Sequence, residues 1–213
     1  MKIVIVGATG KIGKQVTIQA LNQGHSVTAF ARSPNKLQEF DGQINIVQGN
    51  VLEATSLHEA IDGQDAVICT LGMPLMNNDG LRAKGTENII SVMESTQVNR
   101  LICLSSLGAG DSRSSLPALY RYLLVPLLMK RLFADHEQQE AYVKASNLDW
   151  SIIRSASFSK GINTGVYWHG NDATNCQLTF KISHADVAQF ILKQLGNRAY
   201  FRQTPGISYA SST

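Results

Sequence analysis

The sequence predicts one α/β domain that is doubly wound around a mainly parallel sheet, and three observations support this prediction. The chain has 213 residues, which is enough for one such domain with a full hydrophobic core. Short β-branched runs alternate with amphipathic segments from the beginning of the chain to residue 155. Each intervening segment is long enough for a right-handed crossover, so the strands should be parallel and covered by helices on both faces.

Six apolar runs are the predicted strands of this sheet. In chain order they read KIVIV, HSVTAF, INIVQG, DAVICTL, RLICLSS and DWSIIRS. Amphipathic segments between them are the predicted helices: Lys11 to Asn22, Ala54 to Ile61, Leu81 to Gln97, and the long stretch from Leu116 to Ser146. The sequence shows no internal repeat, low-complexity tract or linker, so we expect one domain.

The pattern changes after the sixth predicted strand. A hairpin is predicted around Gly165 to Trp168 and Cys176 to Ile182, and a final helix follows it. The stretch SHAD at the start of that helix offers Ser183 as the N-cap and Asp186 as the third helical position. This part of the chain is predicted to form loops and a closing helix, not a second domain.

Composition and charge exclude several classes of protein. Hydrophobic residues make up 44% of the chain and charged residues 16%, as in an ordinary globular domain. The formal net charge is +3 and no run of Lys or Arg occurs, so we expect neither a nucleic acid nor a membrane as partner. The cysteines, Cys69, Cys103 and Cys176, form no CxxC or Cys/His cluster, which predicts buried free thiols, a reducing compartment and no metal.

Two apolar runs are too short to be targeting or membrane segments. Only the short run IVIV precedes Gly7, whereas the core of a secretion signal needs roughly 7–15 residues. The run LLVPLLM, from Leu123 to Met129, is far shorter than the roughly 20 residues of a membrane-spanning helix. We therefore expect a cytoplasmic protein.

Closely spaced glycines follow the first predicted strand directly. The stretch reads MKIVIVGATGKIG, and its GxxGxxG spacing differs from the GxGxxG fingerprint but permits the same geometry. Glycine lets the chain turn sharply and approach a pyrophosphate, while the helix N-terminus offers free N–H groups to the phosphates. The alternative is a tight turn without a ligand. The predicted phosphate-binding residues are Gly7, Thr9, Gly10, Lys11, Ile12 and Gly13.

This stretch and several others resemble a known family. GATGKIG is similar to the nucleotide loop of the atypical and extended short-chain dehydrogenases/reductases. Matching segments run almost end to end: FARSPNKL, VQGNVLEA, DAVICTLG, LICLSSLGAGDSR, ADHEQQEAYVKASNLDWSIIRS and ISHADVAQFIL. Together they resemble the NmrA-like NAD(P)H-binding branch that includes flavin reductase/biliverdin-IXβ reductase. The resemblance implies a single Rossmann-type domain, with residues 1–155 as the nucleotide-binding core and residues 156–213 as substrate-side loops and a closing helix.

The end of the second predicted strand indicates which dinucleotide binds. An acidic residue is expected there for NAD, but the stretch Phe30 to Lys36 contains no carboxylate. Arg32 can bind a 2′-phosphate, Ser33 can donate its hydroxyl, and Lys36 adds positive charge. The alternative is a solvated basic turn. The missing acid and the added arginine favour NADPH over NADH as the coenzyme.

The resemblance implies further contacts to the coenzyme. In VQGNVL, Asn50 takes the position that contacts adenine, where Asp is commoner, and Val51 lies beside the ring. Leu71 and Gly72 end the fourth predicted strand and should line the path to the nicotinamide ribose. That placement agrees with the rule that ligands bind beyond the carboxyl ends of parallel strands.

The proton donor of the carbonyl-reducing relatives is missing. Those proteins use a Tyr-x-x-x-Lys pair, and no tyrosine of this chain is followed by lysine four positions later. By resemblance, His136 or Glu137 falls near the lysine position, and Ser106 matches the serine that faces the nicotinamide. His136 can donate a proton near neutral pH or can be a surface or hydrogen-bonded histidine. Ser106 can contact the substrate or the carboxamide, or can satisfy a strand end.

The missing acid also indicates the class of acceptor. Reduction of a simple ketone should be slow here, whereas flavins, quinones and other conjugated acceptors delocalise the electrons and take protons from water. We therefore expect an NADPH-dependent reductase of a small planar acceptor, and no metal. The predicted walls of the acceptor site are Met73-Pro74-Leu75-Met76 and the stretch from Leu116 to Phe133, although that stretch is equally compatible with a core helix or a subunit interface.

Substrate identity and function stay open at this point. Ser157 stands where the biliverdin-reducing relative has a histidine, and Ser155 stands where most relatives have proline after arginine. The main rival function is a non-catalytic dinucleotide sensor, as NmrA-like regulators are. An isomerase or epimerase is disfavoured by the missing Tyr/Lys pair. The sequence is compatible with a monomer or a homodimer.

Overall fold

The computed structural model describes residues 1–72, 80–116, 120–173 and 176–211. The strands are β1 (Lys2–Val6), β2 (Ser26–Ala31), β3 (Asn45–Gln48), β4 (Ala66–Cys69), β5 (Arg100–Ser106), β6 (Asp149–Ser155), β7 (Ser157–Ser159), β8 (Trp168–Gly170), β9 (Lys181–Ser183) and β10 (Gly206–Ser208). The α-helices are α1 (Lys11–Asn22), α2 (Ala54–Ile61), α3 (Leu81–Thr96), α4 (Lys130–Ala145) and α5 (His184–Lys193). Pro34–Phe40 and Gly110–Ser115 form 3₁₀-helices, and Tyr120–Met129 forms a π-helix.

The main sheet has eight strands in the order β3-β2-β1-β4-β5-β6-β10-β8. All neighbouring pairs are parallel except β10 and β8, and β7 and β9 form a separate parallel pair. Strand β1 pairs with β2 on one side and with β4 on the other, so the winding direction reverses beside β1. Such a reversal opens a crevice at the carboxyl ends of the strands. The predicted doubly wound fold with a mainly parallel sheet is confirmed.

Alternate residues of the central strand β1 fill two separate cores. Ile3 and Ile5 pack in a core with residues of α1 and α5, whereas Val4 and Val6 pack with residues of α2, α3 and α4. All four side chains are at most 1% exposed. Full burial of such a side chain contributes about 1.5–3 kcal/mol. Helices therefore cover both faces of the sheet, as the unbroken apolar runs predict.

The predicted hairpin in the C-terminal part is wrong. Strand β8 pairs antiparallel with β10, and β9 pairs parallel with β7, so the two halves of the predicted hairpin belong to different sheets. The short strand GIS at Gly206–Ser208 was not predicted, and it lies between β6 and β8 in the main sheet. Pairing with distant strands thus replaces the local pairing. Besides the predicted loops and closing helix, the C-terminal part therefore contributes two strands, β8 and β10, to the main sheet.

The closing helix α5 begins as predicted. The hydroxyl oxygen of Ser183 accepts a hydrogen bond from the backbone N–H of Asp186 at 3.0 Å, which is the N-cap interaction read from SHAD. The Asp186 carboxylate in turn accepts hydrogen bonds from the Thr164 hydroxyl at 2.9 Å and the Gly165 N–H at 2.8 Å. This single carboxylate therefore fixes the loop before β8 to the N-terminus of α5.

The long helical stretch that the sequence predicts is two elements. The π-helix Tyr120–Met129 precedes α4, and residues 117–119 lie outside the described residues. Proline has no amide hydrogen to donate, so Pro126 interrupts a regular α-helical hydrogen-bond ladder. Within the stretch, Val125 and Phe133 are buried and Leu127 is 71% exposed. The stretch is therefore partly core and partly exposed surface.

The cysteines have two different environments. Cys69 and Cys103 are buried, as predicted, and stand in register on the neighbouring strands β4 and β5. Cys176 is half-buried, and all three are free thiols. In the described parts of the chain, no cluster of His, Cys, Asp and Glu could hold a metal ion. Across the same residues, no helix combines the length and apolar character needed to cross a membrane.

Candidate functional site

The glycine turn between β1 and α1 requires glycine at two positions. Gly7 has a φ of +90°, and a Cβ added there would lie 2.7 Å from the carbonyl oxygen of Thr70. A Cβ on Gly13 would overlap the Gly7 carbonyl oxygen and lie 2.7 Å from the Ala8 Cα. The Gly10 N–H donates to the Gly7 carbonyl at 3.0 Å, which closes the turn. The turn therefore packs tightly both on the end of β4 and on the first turn of α1.

The N-terminus of α1 is suited to bind an anion. Its N-cap is Gly10, no side chain of the described residues caps it, and its first turn contains no acidic residue. The first N–H groups of a helix have no intrahelical acceptor and carry the positive end of the helix dipole. A phosphate group at this position would satisfy both features. The phosphate-binding role of this segment stays a prediction, for Gly7, Thr9, Gly10, Lys11, Ile12 and Gly13.

The side chains of this first turn are divided between the surface and the core. Lys11 is exposed at the start of α1, whereas Ile12 is 6% exposed and belongs to the core with α5. Only the backbone of Ile12 is therefore positioned to serve a ligand. Its side chain anchors the helix to the sheet.

The end of β2 presents positive charge beside this turn. Val6 and Phe30 are in register on β1 and β2, so the residues after Ala31 emerge next to the glycine turn. Arg32 and Lys36 are exposed, and neither forms a salt bridge among the described residues. The residues predicted to bind the 2′-phosphate, Arg32, Ser33 and Lys36, therefore lie at the same edge of the sheet as the glycine turn.

No free carboxylate competes with these cations in the neighbouring 3₁₀-helix. Glu39 is the acidic residue of Pro34–Phe40, and its carboxylate is paired with the ammonium of Lys14 on α1. The structure therefore retains the basic, acid-free strand end that the sequence shows.

Asn50 and Val51 follow β3 at the same edge of the sheet. The side-chain oxygen of Asn50 accepts from the Leu52 N–H at 3.2 Å, and its amide donates weakly to Glu53 at 3.4 Å. Asn50 therefore shapes the turn after β3, and its role at adenine stays a prediction. Val51 is 4% exposed and would clash with a side chain at Gly85 of α3, so it packs closely on that helix.

A buried ion pair supports the end of β4. The guanidinium of Arg82 donates to the Leu71 carbonyl at 3.2 Å and to the Asp135 carboxylate at 2.8 Å. The other oxygen of Asp135 accepts from the Ala83 N–H at 3.0 Å. Burial lowers the pKa of Arg82, while the negative charge of Asp135 opposes that shift. Leu71 is thus held by its backbone. Gly72 follows it, and a Cβ added at Gly72 would meet nothing within 4 Å.

Ser106 and His136 do not meet in the structure. Ser106 ends β5, is half-buried, and donates weakly to the Leu107 carbonyl at 3.4 Å. His136 instead approaches Ser105, the residue before Ser106 on β5. Its imidazole Nδ1 lies 3.3 Å from the Ser105 hydroxyl, between α4 and the sheet. Burial, and then the charge of Arg82, lowers the pKa of His136 to about 3. The ring is therefore neutral near pH 7, which argues against His136 as a cationic proton donor.

Ser105 belongs to a second buried network, which sequence reasoning missed. Its hydroxyl donates to Glu140 at 2.8 Å, and the guanidinium of Arg154 donates to both oxygens of that carboxylate at 2.9 and 2.6 Å. Burial raises the pKa of Glu140, but the hydrogen bonds from Arg154, Lys144 and Ser105 outweigh it and lower the pKa overall. Arg154 also pairs with Asp111 at 2.7 Å, which ties the segment after β5 to β6.

The predicted acceptor walls are only partly visible. Met73 to Met76 lie outside the described residues. In the second wall, Phe133 and Val125 are buried against Ala109, whereas Tyr122 and Leu123 are 69% and 48% exposed. The acceptor role of this stretch stays a prediction.

These observations define the class of the protein. A doubly wound parallel sheet, a glycine turn that leads into an uncapped helix, and a basic end of the second strand are the features of a Rossmann-type dinucleotide-binding protein. The chain belongs to the NAD(P)H-binding family, whose model matches residues 7–198.

Two curated proteins are similar in sequence to this chain. The Bacillus subtilis protein YwnB is 30% identical over 203 residues, which are 92% of this chain and 92% of that protein. The photosystem II assembly factor Ycf39 of Synechocystis is 28% identical over 168 residues, which are 76% of this chain and 46% of that protein.

Solved structures share the fold at lower sequence identity. ChuY, an anaerobilin reductase from Escherichia coli O157:H7, superimposes with a TM-score of 0.82 at 20% identity, over 100% of this chain and 99% of that chain. A short-chain dehydrogenase/reductase from Veillonella parvula, solved in complex with NADP, has a TM-score of 0.82 at 16% identity, over 97% and 94%. The family model confirms the NAD(P)H-binding family that the sequence predicts, and the solved structures confirm its fold.

Proposed function

We propose that this protein is an NADPH-dependent reductase that transfers hydride to a planar conjugated acceptor such as a flavin or a quinone. The observation that carries the proposal is the pairing of an uncapped helix N-terminus with an exposed, acid-free cluster of cations at the end of β2. The first feature suits a pyrophosphate and the second suits the additional 2′-phosphate of NADPH.

The buried histidine supports a conjugated acceptor. The sequence has no Tyr-x-x-x-Lys pair, and His136 is neutral near pH 7, so no residue of the familiar kind supplies a proton to an alkoxide. A flavin or quinone accepts the hydride as two electrons and one proton. It spreads the charge over its ring system and takes the second proton from water, and the coenzyme leaves as NADP⁺. This class of acceptor therefore needs no acid from the protein.

Two similar proteins are consistent with this proposal. ChuY is described as an anaerobilin reductase, and the Veillonella protein was solved with NADP. Both are under 25% identical to this chain, so they support a coenzyme-dependent reductase without identifying its acceptor.

A coenzyme-binding sensor without turnover is the second candidate function. The observation that favours it is the same lack of a proton donor, together with the similarity to Ycf39, which is an assembly factor. A sensor needs the coenzyme site but no acceptor site.

The decisive experiment compares turnover with binding. Purified protein should oxidise NADPH steadily, followed by its absorbance, in the presence of flavins and quinones, and much more slowly with simple ketones. Faster turnover on ketones than on flavins and quinones would contradict the proposed reductase. Calorimetric binding of NADPH without turnover on any acceptor would favour the sensor.

Arg32→Ala should separate the two reduced coenzymes. Loss of a charged hydrogen bond costs about 1–3 kcal/mol, so the Kd for NADPH should rise roughly 5- to 150-fold, while the Kd for NADH should not change. Calorimetric titration of both coenzymes measures this difference. Arg198→Ala is the matched control, because Arg198 is exposed beside Phe201 and far from the end of β2. Equal losses for NADPH and NADH would refute the 2′-phosphate assignment.

A further inference from the structure

An aromatic ring is exposed beyond the carboxyl end of β6. Phe158, the central residue of β7, is 48% exposed. Its ring stacks on the imidazole of His184, with the ring centroids 5.2 Å apart and the ring planes at 27°. One face of the phenyl ring is thus supported by the protein, while much of the remaining ring surface is open.

This aromatic pair lies at the edge where the coenzyme site is built. Ser155, the last residue of β6, is in register with Ser106 of β5, and β7 starts two residues later. Strand β7 therefore extends the chain past the same edge that Ser106 and the glycine turn occupy.

The backing residue His184 begins α5, and residues of α5 pack with residues of α1 in one core. Burial, and then the charge of Lys11, lowers the pKa of His184, while a hydrogen bond to the Ser159 carbonyl raises it. That hydrogen bond joins the ring to β7. The carbonyl of Ala185, the residue after His184, accepts a hydrogen bond from the side-chain amide of Gln19 on α1 at 2.9 Å. The aromatic pair therefore lies beyond the carboxyl end of β6, on the side of the sheet that α1 and α5 cover.

The charge around Phe158 is positive. The stretch from Ser155 to Lys160 contains no acidic residue, and Lys160 is exposed two positions after Phe158. Lys11 is also exposed, at the start of α1, and neither lysine forms a salt bridge among the described residues. A flat ligand that carries a carboxylate or a phosphate would match this combination of an aromatic ring and cations.

We propose that Phe158 is the stacking platform for the acceptor, and that the acceptor is a planar ring system with an anionic substituent. This inference rests on the proposed reductase function, and it adds a specificity-determining residue and a charge requirement to it. Phe158 contacts one face of the acceptor ring through offset stacking. Lys160 binds the anionic group.

The test uses Phe158→Ala with flavin mononucleotide (FMN) as the acceptor. The KM for FMN should rise about 5- to 10-fold, the scale of a lost aromatic stacking contact, while the Kd for NADPH stays within about twofold. Phe158→Trp keeps a stacking surface and should restore the KM. Ile162→Ala is the matched control, since Ile162 is 81% exposed in the same segment and should change neither value. An unchanged melting temperature shows that Phe158→Ala is folded.

The charge requirement has its own measurement. The wild-type protein should have a lower KM for FMN than for riboflavin, and Lys160→Ala should reduce that difference. Equal KM values for the two flavins in the wild-type protein would overturn the charge requirement.

Several results would overturn the platform. If the wild-type protein turns over normally and Phe158→Ala has an unchanged KM for FMN, Phe158 does not bind the acceptor. The proposed reductase function would still stand. A raised Kd for NADPH with an unchanged KM assigns Phe158 to the coenzyme instead. If the wild-type protein shows no turnover, the proposed function fails, and quenching of FMN fluorescence still decides the platform. If the wild-type protein quenches FMN fluorescence and Phe158→Ala does not, the result supports Phe158 as the stacking platform. If neither protein quenches the fluorescence, the stacking platform is overturned.

Discussion

Gly13→Ala should abolish coenzyme binding and destabilise the first crossover. The added Cβ would overlap the Gly7 carbonyl oxygen and lie 2.7 and 2.9 Å from the Ala8 Cα and carbonyl carbon. All of these are backbone atoms, so the clash can be relieved only if the turn or the helix moves. Overpacking of this kind costs about 1–3 kcal/mol or more, and the N–H groups of α1 would lose their alignment on the pyrophosphate. We expect the Kd for NADPH to rise by at least about 100-fold, which is roughly 2.7 kcal/mol.

Calorimetry with NADPH and a thermal melt of the same samples check this prediction. Gly196→Ala is the control, because a Cβ at Gly196 meets nothing within 4 Å and the residue lies far from the turn. It should match the wild-type protein in both measurements. Normal NADPH affinity in Gly13→Ala would show that the tight packing of α1 on the glycine turn is not needed for binding.

Asp135→Ala should lower the free energy of unfolding by about 3–5 kcal/mol. The side chain of Arg82 is 4% exposed, and the substitution leaves its guanidinium buried without a carboxylate partner. It also removes the acceptor of the Ala83 N–H at the start of α3. Because Arg82 holds the Leu71 carbonyl, the end of β4 should shift and coenzyme affinity should fall as well. Chemical denaturation measures the first effect and calorimetry the second.

The surface pair Lys14–Glu39 provides the contrast. Its side chains are 35% and 50% exposed, so Glu39→Ala should change the free energy of unfolding by no more than about 1 kcal/mol. The double variant Arg82→Met/Asp135→Leu should recover much of the loss, because apolar residues of similar volume avoid the unpaired charge. A loss below about 1 kcal/mol in Asp135→Ala would mean that Arg82 finds water or another partner.

The main elements of the fold could be predicted because their signals are local. Strand β1 is an unbroken apolar run and α1 has a continuous amphipathic pattern, so each can be recognised within its own stretch of sequence. Strands β8, β9 and β10 have three residues each, and their partners lie far away in the chain. Short strands carry almost no periodic signal, and the pairing depends on tertiary contacts. The predicted hairpin failed for this reason.

In the candidate site too, features with a local sequence signal could be predicted, and features that depend on tertiary contacts could not. The glycine turn and the basic end of β2 are contiguous motifs, so residues such as Gly7 and Arg32 could be singled out from sequence. The Arg82–Asp135 pair and the Phe158–His184 stack join residues from different elements. A charged residue in a helix is usually solvated, so nothing in the pattern marks Arg82 or Asp135 as buried. The sequence does indicate His136 as a candidate proton donor. Its burial depends on how α4 packs on the sheet, which the spacing of residues in the sequence does not reveal.

The place of β10 in the main sheet has a consequence for how the chain acquires its structure. Among the described residues β10 is the last strand in sequence order, yet it sits inside the sheet, hydrogen-bonded to β6 on one side and β8 on the other. A ribosome must therefore release the chain through Ser208 before β10 can cover the edge of β6, and until then that edge is an unsatisfied template for other chains. Pairings over long sequence separations also form slowly. Nascent molecules should accordingly depend on rapid synthesis of the segment that contains β10, or on chaperones, to avoid aggregation.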